Sequence, residues 1–174
     1  VGSPLSLNAL REDLQVNHDT VRRWLDVFER LYAIFRVPLF CAAKLRAVTK
    51  ERKHYHFDWT LVDDEARRFE NLVASHLLKW THFLFDTEDR SIELCYFRDH
   101  DRREVDFVLV EKRAPIRLIE CKLNAEEPSP HLRYLARRFP RAEAFQIHLR
   151  GGDARITTDK IRLWPAARFL KTLI

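Results

Sequence analysis

Apolar side chains recur along this chain in two rhythms. Over the first thirty residues they fall every three or four positions, at Leu7, Leu10 and Leu14 and then at Val21, Trp24, Leu25, Phe28 and Leu31. That spacing predicts two helices. The first begins near Ser6; the second is capped by Asn17 after a turn at Gln15-Val16-Asn17. An apolar run over 33–40 and a shorter stretch over 54–58 predict the two strands of a hairpin. The helical rhythm then returns at Phe69, Val73, Leu77, Trp80 and Leu84, behind a capping pair Asp63-Asp64, and predicts a helix over 65–84. Apolar, β-branched runs predict strands over 91–98, 104–111, 116–123 and 142–149. A helix over 129–139 opens at Ser129-Pro130, and a closing segment over 162–173 turns helical after Pro165. The pattern is α/β: a small module over 1–60, then a mixed sheet flanked by helices over 61–174. Trp24, Trp80 and Trp164 read as core residues.

Ionic residues interrupt two of the predicted strands. Asp106 lies in Glu104-Val105-Asp106-Phe107-Val108-Leu109-Val110, and Glu120 and Lys122 lie in Ile116-Arg117-Leu118-Ile119-Glu120-Cys121-Lys122-Leu123. Strand alternation puts Asp106 on the face of Val108 and Val110, and Glu120 with Lys122 on the face of Leu118. Buried carboxylates are tolerated when paired or bound to a metal. Two acids and a lysine converging on one sheet face therefore predict a divalent-ion site. Glu70 falls on the border of the 65–84 apolar stripe, where it can point into the fold or pair with Arg67 and solvent.

The order acid, short hairpin, acid-any-lysine resembles the PD-(D/E)xK nuclease superfamily, with Asp106 as the first acid and Glu120-Cys121-Lys122 as the triplet 14 residues on. Val105 stands where the superfamily's name has proline. Members of that superfamily often add a helical glutamate to the metal site, a role Glu70 matches. Some use a polar group on the following strand, which points to Gln146.

The first module, helix, turn, helix and hairpin, has a winged-helix outline. In a DNA-binding version the second helix enters the major groove and presents Arg22 and Arg23. The hairpin tip carries Lys44, Arg46, Lys50, Arg52 and Lys53, which suit phosphates or a solvated face equally. A helical hairpin that only packs against its neighbours gives the same pattern.

Taken in order, the strings SLNALREDLQVNHDTVRRWLDVFERL, HYHFDWTLV, RRFENLVASHL, YFRDHDRREVDFVLV and IRLIECKLN resemble the C-terminal region of a family of predicted prokaryotic P-loop ATPases. There an AAA-type ATPase precedes a winged helix and a nuclease-like domain of unassigned function. The chain departs from that pattern at Trp59-Thr60, where a small residue and glycine usually close the strand after Asp58.

Composition narrows the choices. Only 3 glycines occur, and Gly151-Gly152 has no G-x-x-x-x-G-K-[ST] around it, so these residues hold no ATP site. ATP would belong to an N-terminal ATPase domain. Cys41, Cys95 and Cys121 include no C-x-x-C pair and read as reduced core thiols of a cytoplasmic protein. No apolar run approaches a membrane span. The absence of methionine suggests a piece of a longer protein. A net charge of +5 is mild, so local clusters matter more than the total.

Two functions follow from the resemblance. One is a nuclease dependent on Mg²⁺ or Mn²⁺ that acts on nucleic acid, DNA foremost. Asp106 and Glu120, with Glu70, would hold the ion, and Lys122, about 6.7 Å along the strand from Glu120, would act on the attacking water or the developing charge. The other is a catalytically inactive DNA- or protein-binding region that regulates the attached ATPase, alone or in an oligomer. A plain structural domain, its acids paired with Arg103 or Lys122, is a third possibility.

Overall fold

The computed structural model describes residues 1–2, 6–40 and 52–173. Helix α1 (Leu7–Leu14) is capped by Ser6, whose hydroxyl accepts from Ala9 N, and α2 (His18–Arg30) by Asn17, which accepts from Thr20 N at 2.7 Å. Val21 and Leu25 of α2 pack with Ile34, Leu7, Leu10 and Val16 into a small core. The α2 stripe is wider than this core can cover. Trp24, predicted to be buried, is 45% exposed, and Phe28 and Leu31 are exposed with it. An eight-residue α1 offers too little apolar surface to cover them.

Strands β1 (Ile34–Pro38) and β2 (Arg52–His56) pair antiparallel, with Val37 opposite Lys53. Asp58 caps a short 3-10 turn, Trp59–Leu61, through Thr60 N. Helix α3 (Glu65–Glu88) starts at Asp64, which accepts from Arg67 N at 2.8 Å, and buries Phe69, Val73, Ala74, Leu77 and Leu84. Its Asn71, fully buried, joins α3 to β2: His56 N donates to Oδ1 at 2.9 Å and Nδ2 donates to His56 O at 2.7 Å.

The larger sheet contains β3 (Ile92–Arg98), β4 (Glu104–Glu111), β5 (Ala114–Asn124), β6 (Glu143–Arg150), β7 (Arg155–Ile156) and β8 (Arg162–Pro165). Its order is β3-β4-β5-β6-β8-β7. Antiparallel β4 and β5 meet at Lys112-Arg113, both at positive φ, as a two-residue hairpin turn requires. Helix α4 (Pro130–Arg138), capped by Ser129, carries the chain across to β6, which runs parallel to β5. It covers one sheet face through Leu132 and Leu135 against Val108, Val110 and Leu118. Helix α3 and the short α5 (Ala166–Leu170) cover the other, where Phe107, Leu109, Ile119 and Phe145 lie. Two helical layers therefore enclose a mixed six-stranded sheet. Phe35, Val37 and Tyr55 of the hairpin belong to the α3-side core, so that core runs across residues 60 and 61 without a break. Among the described residues no helix is long and apolar enough to cross a membrane.

Candidate functional site

The acids meet where β2, α3, β4 and β5 come together. Glu120 and Lys122 alternate onto one face of β5, with Glu120 Oε1 3.1 Å from Lys122 Nζ. Glu120 is only 6% exposed, and its Oε2 is buried without a hydrogen-bond partner. Leu118 places this face on the α4 side.

Asp106 departs from the alternation expected of it. Cys95 pairs with Val108 and Phe97 with Val105, so three steps of β4 oppose two of β3. The bulge lets Val105 and Val108 both join the α4-side core. Asp106, between them, is turned out of the Val108–Val110 row. Its Oδ2 accepts from Cys121 N at 2.8 Å, and its Oδ1 lies 3.9 Å from Lys53 Nζ. Asp106 is thus the joint between Glu120 on one side of the sheet and Glu70 on the other, and the two strand acids do not simply face one way.

Glu70 does point into the fold. Its Oε1 accepts from Tyr55 OH at 2.6 Å and from Lys53 Nζ at 3.3 Å. Behind it the backbone of Gly2, at φ +70°, passes so close that a Cβ there would lie 2.8 Å from Oε2. Arg67 is not its partner.

Lys53 is the largest departure. Expected at a basic hairpin tip, it is 1% exposed, because β2 alternation turns it and Tyr55 inward together. Its Nζ lies 2.6 Å from Glu104 Oε1, 3.3 Å from Glu70 Oε1 and 5.3 Å from the centre of the Tyr96 ring. An ammonium so enclosed cannot meet a phosphate from solvent. The sequence carries a signal for this: Lys53, one residue out of step with His54 and His56, shares its face with the only tyrosine of the strand. Glu104 joins the site as well, through Lys53 and at 3.8 Å from Arg98 Nε.

Electrostatics follow from this packing. Burial raises Glu70 to about 7 and Glu120 to about 8, the neighbouring Asp106 charge adds to both, and the lysines only partly offset the rise. Burial also raises Asp106, against Lys53 and the Cys121 N–H. Burial opposes the charge on Lys53, yet Glu70, Asp106 and Glu104 outweigh it and hold the ammonium protonated. Perturbation by burial and specific partners in one spot marks a functional candidate. Among the described residues no group of three or more His, Cys, Asp or Glu side chains stands ready to hold a metal ion. The donor chemistry still suits a hard cation: carboxylate oxygens, one of them orphaned. Lys53, among Glu70, Glu104 and Asp106, and Lys122, beside Glu120, supply positive charge to them.

Gln146 lies opposite Glu120 in the parallel register and is 1% exposed, but its amide is already engaged. Ser129 N donates to its Oε1 at 2.8 Å, and its Nε2 donates to Glu126 O and Glu127 O. It fastens the loop before α4. Arg22 and Arg23 are exposed on α2, as is Arg52 at the start of β2. Lys50, with Lys44, Arg46 and Cys41, lies outside the described residues.

Residues 67–169 match a domain of unknown function, DUF4143, which spans most of α3, the whole larger sheet and most of α5. The chain belongs to the DUF4143 family. DUF4143 domains are found in the C-terminal region of AAA-type ATPase proteins. Residues 1–70 match a second domain of unknown function, DUF8612, so the two matches meet at the start of α3, beside Glu70. No curated protein and no solved structure matches the chain.

Proposed function

We propose that the DUF4143 region is a PD-(D/E)xK-type nuclease domain that cleaves nucleic-acid phosphodiesters, preceded by a winged-helix-like module and belonging to an ATPase-linked protein. One observation carries this reading: Asp106 links Glu70 of α3 on one side of the sheet with Glu120 and Lys122 of β5 on the other, and the buried acids are under-neutralised. Asp106 and Glu120, with Glu70, would hold Mg²⁺ or Mn²⁺. When bound, the ion supplies polarisation of a phosphoryl oxygen and a lowered pKa for water. Lys122, half exposed beside Glu120, orients the attacking water or offsets charge developing on the phosphate. Arg22, Arg23 and Arg52 offer exposed cations to the nucleic-acid backbone.

The second reading is a catalytically inactive region that binds DNA or protein and regulates an attached ATPase. It is favoured by Lys53, which already sits among the acids, and by the exposed Trp24, Phe28 and Leu31 on α2. Fold by itself does not decide between the two.

The deciding assay incubates plasmid, single-stranded DNA and RNA with the protein in millimolar Mn²⁺, beside Asp106→Ala and Lys122→Ala. The nuclease reading expects cleavage by wild type and a loss of about 10²- to 10³-fold in Lys122→Ala. Cleavage that persists in both variants is contamination. No cleavage of any substrate by wild type supports the regulatory reading.

A further inference from the structure

We infer that Lys53 is a tethered counter-ion standing in the cation position of the acidic site, and that a divalent ion enters only by displacing its ammonium. The inference rests on reading the acids as metal-binding.

Three observations on the geometry support it. First, Lys53 Nζ approaches three carboxylates from two elements, Glu104 at 2.6 Å and Asp106 at 3.9 Å on β4 and Glu70 at 3.3 Å on α3. A point charge among converging oxygens is the arrangement a hard cation also seeks. Second, Lys53 faces three acids, with Arg98 Nε 3.8 Å from Glu104, and Glu120 Oε2, across the sheet from Glu70, is buried with no hydrogen-bond partner. The site holds more negative capacity than its lysines satisfy. Third, Lys53 comes from β2, in a separate two-stranded sheet, whereas Asp106 and Glu120 belong to the larger one. The side chain can therefore withdraw without unpairing a strand of the larger sheet. Tyr55 and Asn71 keep β2 in place, through Glu70 and through the His56 backbone respectively.

Occupancy of the site is then coupled to the hairpin. With Lys53 seated, the acids are neutralised from within and bind divalent ions weakly. With Lys53 displaced, a four-carbon stem and a charge must leave the inward face of β2.

The test is metal binding, read without any cleavage assay. Mn²⁺ is titrated calorimetrically into the 174-residue chain, Lys53→Ala and the Lys53→Ala/Asp106→Ala double variant. The expected result is at least tenfold tighter Mn²⁺ binding by Lys53→Ala, lost again in the double variant. Equal affinity in wild type and Lys53→Ala, including no binding by either, overturns the inference. A gain that survives loss of Asp106 places the ion elsewhere and also overturns it. Should Lys53→Ala not fold in EDTA, the readout becomes refolding yield with and without Mn²⁺. Rescue by the ion is expected, and its absence refutes the substitution of metal for ammonium. Tighter binding without cleavage retains this inference and removes the nuclease reading. Cleavage by wild type with equal affinities does the reverse.

Discussion

The hairpin β1–β2 is held from two sides by ion clusters made of similar residues in opposite surroundings. On β1, Arg36 reaches α2, with Nη2 donating to Asp26 Oδ1 at 2.8 Å and Nε to Glu29 Oε2 at 3.0 Å. On β2, Lys53 reaches Glu104, Glu70 and Asp106. The carboxylates around Arg36 remain in contact with water, so solvent can replace the arginine at small cost. Around the buried Lys53, Glu104 keeps contact with water, but Glu70 and Asp106 are largely shielded from it. The same chemistry is a surface clip in one place and a constraint on the core in the other. Water access decides which.

The largest expected effect comes from breaking the inner cluster. Lys53→Met, read by urea unfolding without divalent ions, should lose about 3–5 kcal/mol at pH 8, as removal of one partner from a buried ion pair does. The loss should shrink at pH 6, where Glu70, raised to about 7, takes up a proton instead. A loss under about 1 kcal/mol at pH 8 would put the inner cluster in the same class as the outer one.

Next in size is Asp106, whose two tasks can be separated. Asp106→Asn keeps an oxygen for the Cys121 N–H, whereas Asp106→Ala leaves that donor buried and unpaired. The alanine variant should lose about 1–3 kcal/mol, and the asparagine variant should stay within about 1 kcal/mol of wild type because the bonded group is retained while a crowded charge is removed. Equal losses would mean that the charge near Lys53, and not the hydrogen bond, makes Asp106 structural.

Most of this architecture was legible in the sequence, and the parts that were not share a cause. Caps at Ser6, Asn17, Asp64 and Ser129 are local bonds, and the structure forms each of them. The four long strands and α3 follow their apolar periods. The bulge at Asp106 is not local: it depends on how β3 pairs with β4, and it reverses a side chain's direction without changing the apolar pattern. The burial of Lys53 follows β2 alternation, but the acid that meets it, Glu70, lies 17 residues away. The exposure of Trp24 reflects how little α1 can cover. β7, two residues long, has no period to read. Glu70, Asp106, Glu120 and Lys122 could be picked out because charge inside an apolar run is visible without knowing the pairing. Glu104 could not, and Lys53 only through the face it shares with Tyr55.

A titration sharpens the comparison further. Glu120 ionises near 8 in the fold, well above the 4.5 of an unhindered glutamate. The folded state therefore holds this proton more tightly than the unfolded chain. The stability it contributes is present below pH 4.5 and is lost as pH rises through 8. His54 and His76, lowered by burial, work in the opposite direction below 6.5. The useful readout is thus the difference between wild type and Glu120→Gln from pH 6.5 to 8. The variant should gain on wild type by about 1–2 kcal/mol across that interval. A constant difference would mean that Lys122 keeps Glu120 ionised throughout.

The smallest effect should come from the outer cluster. Arg36→Ala removes the bonds to Asp26 and Glu29 that clip α2 onto β1. Both acids can turn to water, and neither becomes a buried unpaired charge. The expected loss is about 1 kcal/mol or less, halved or more when salt rises from 0.05 to 0.5 M, because screening weakens the pairs being removed. Lys53→Met, measured beside it, should show no comparable salt dependence. If Arg36→Ala instead cost as much as Lys53→Met and ignored salt, the α2 side of the hairpin would be as closed to water as the site. Trp24, Phe28 and Leu31 would then have to lie under cover in solution, against a face of another copy or domain.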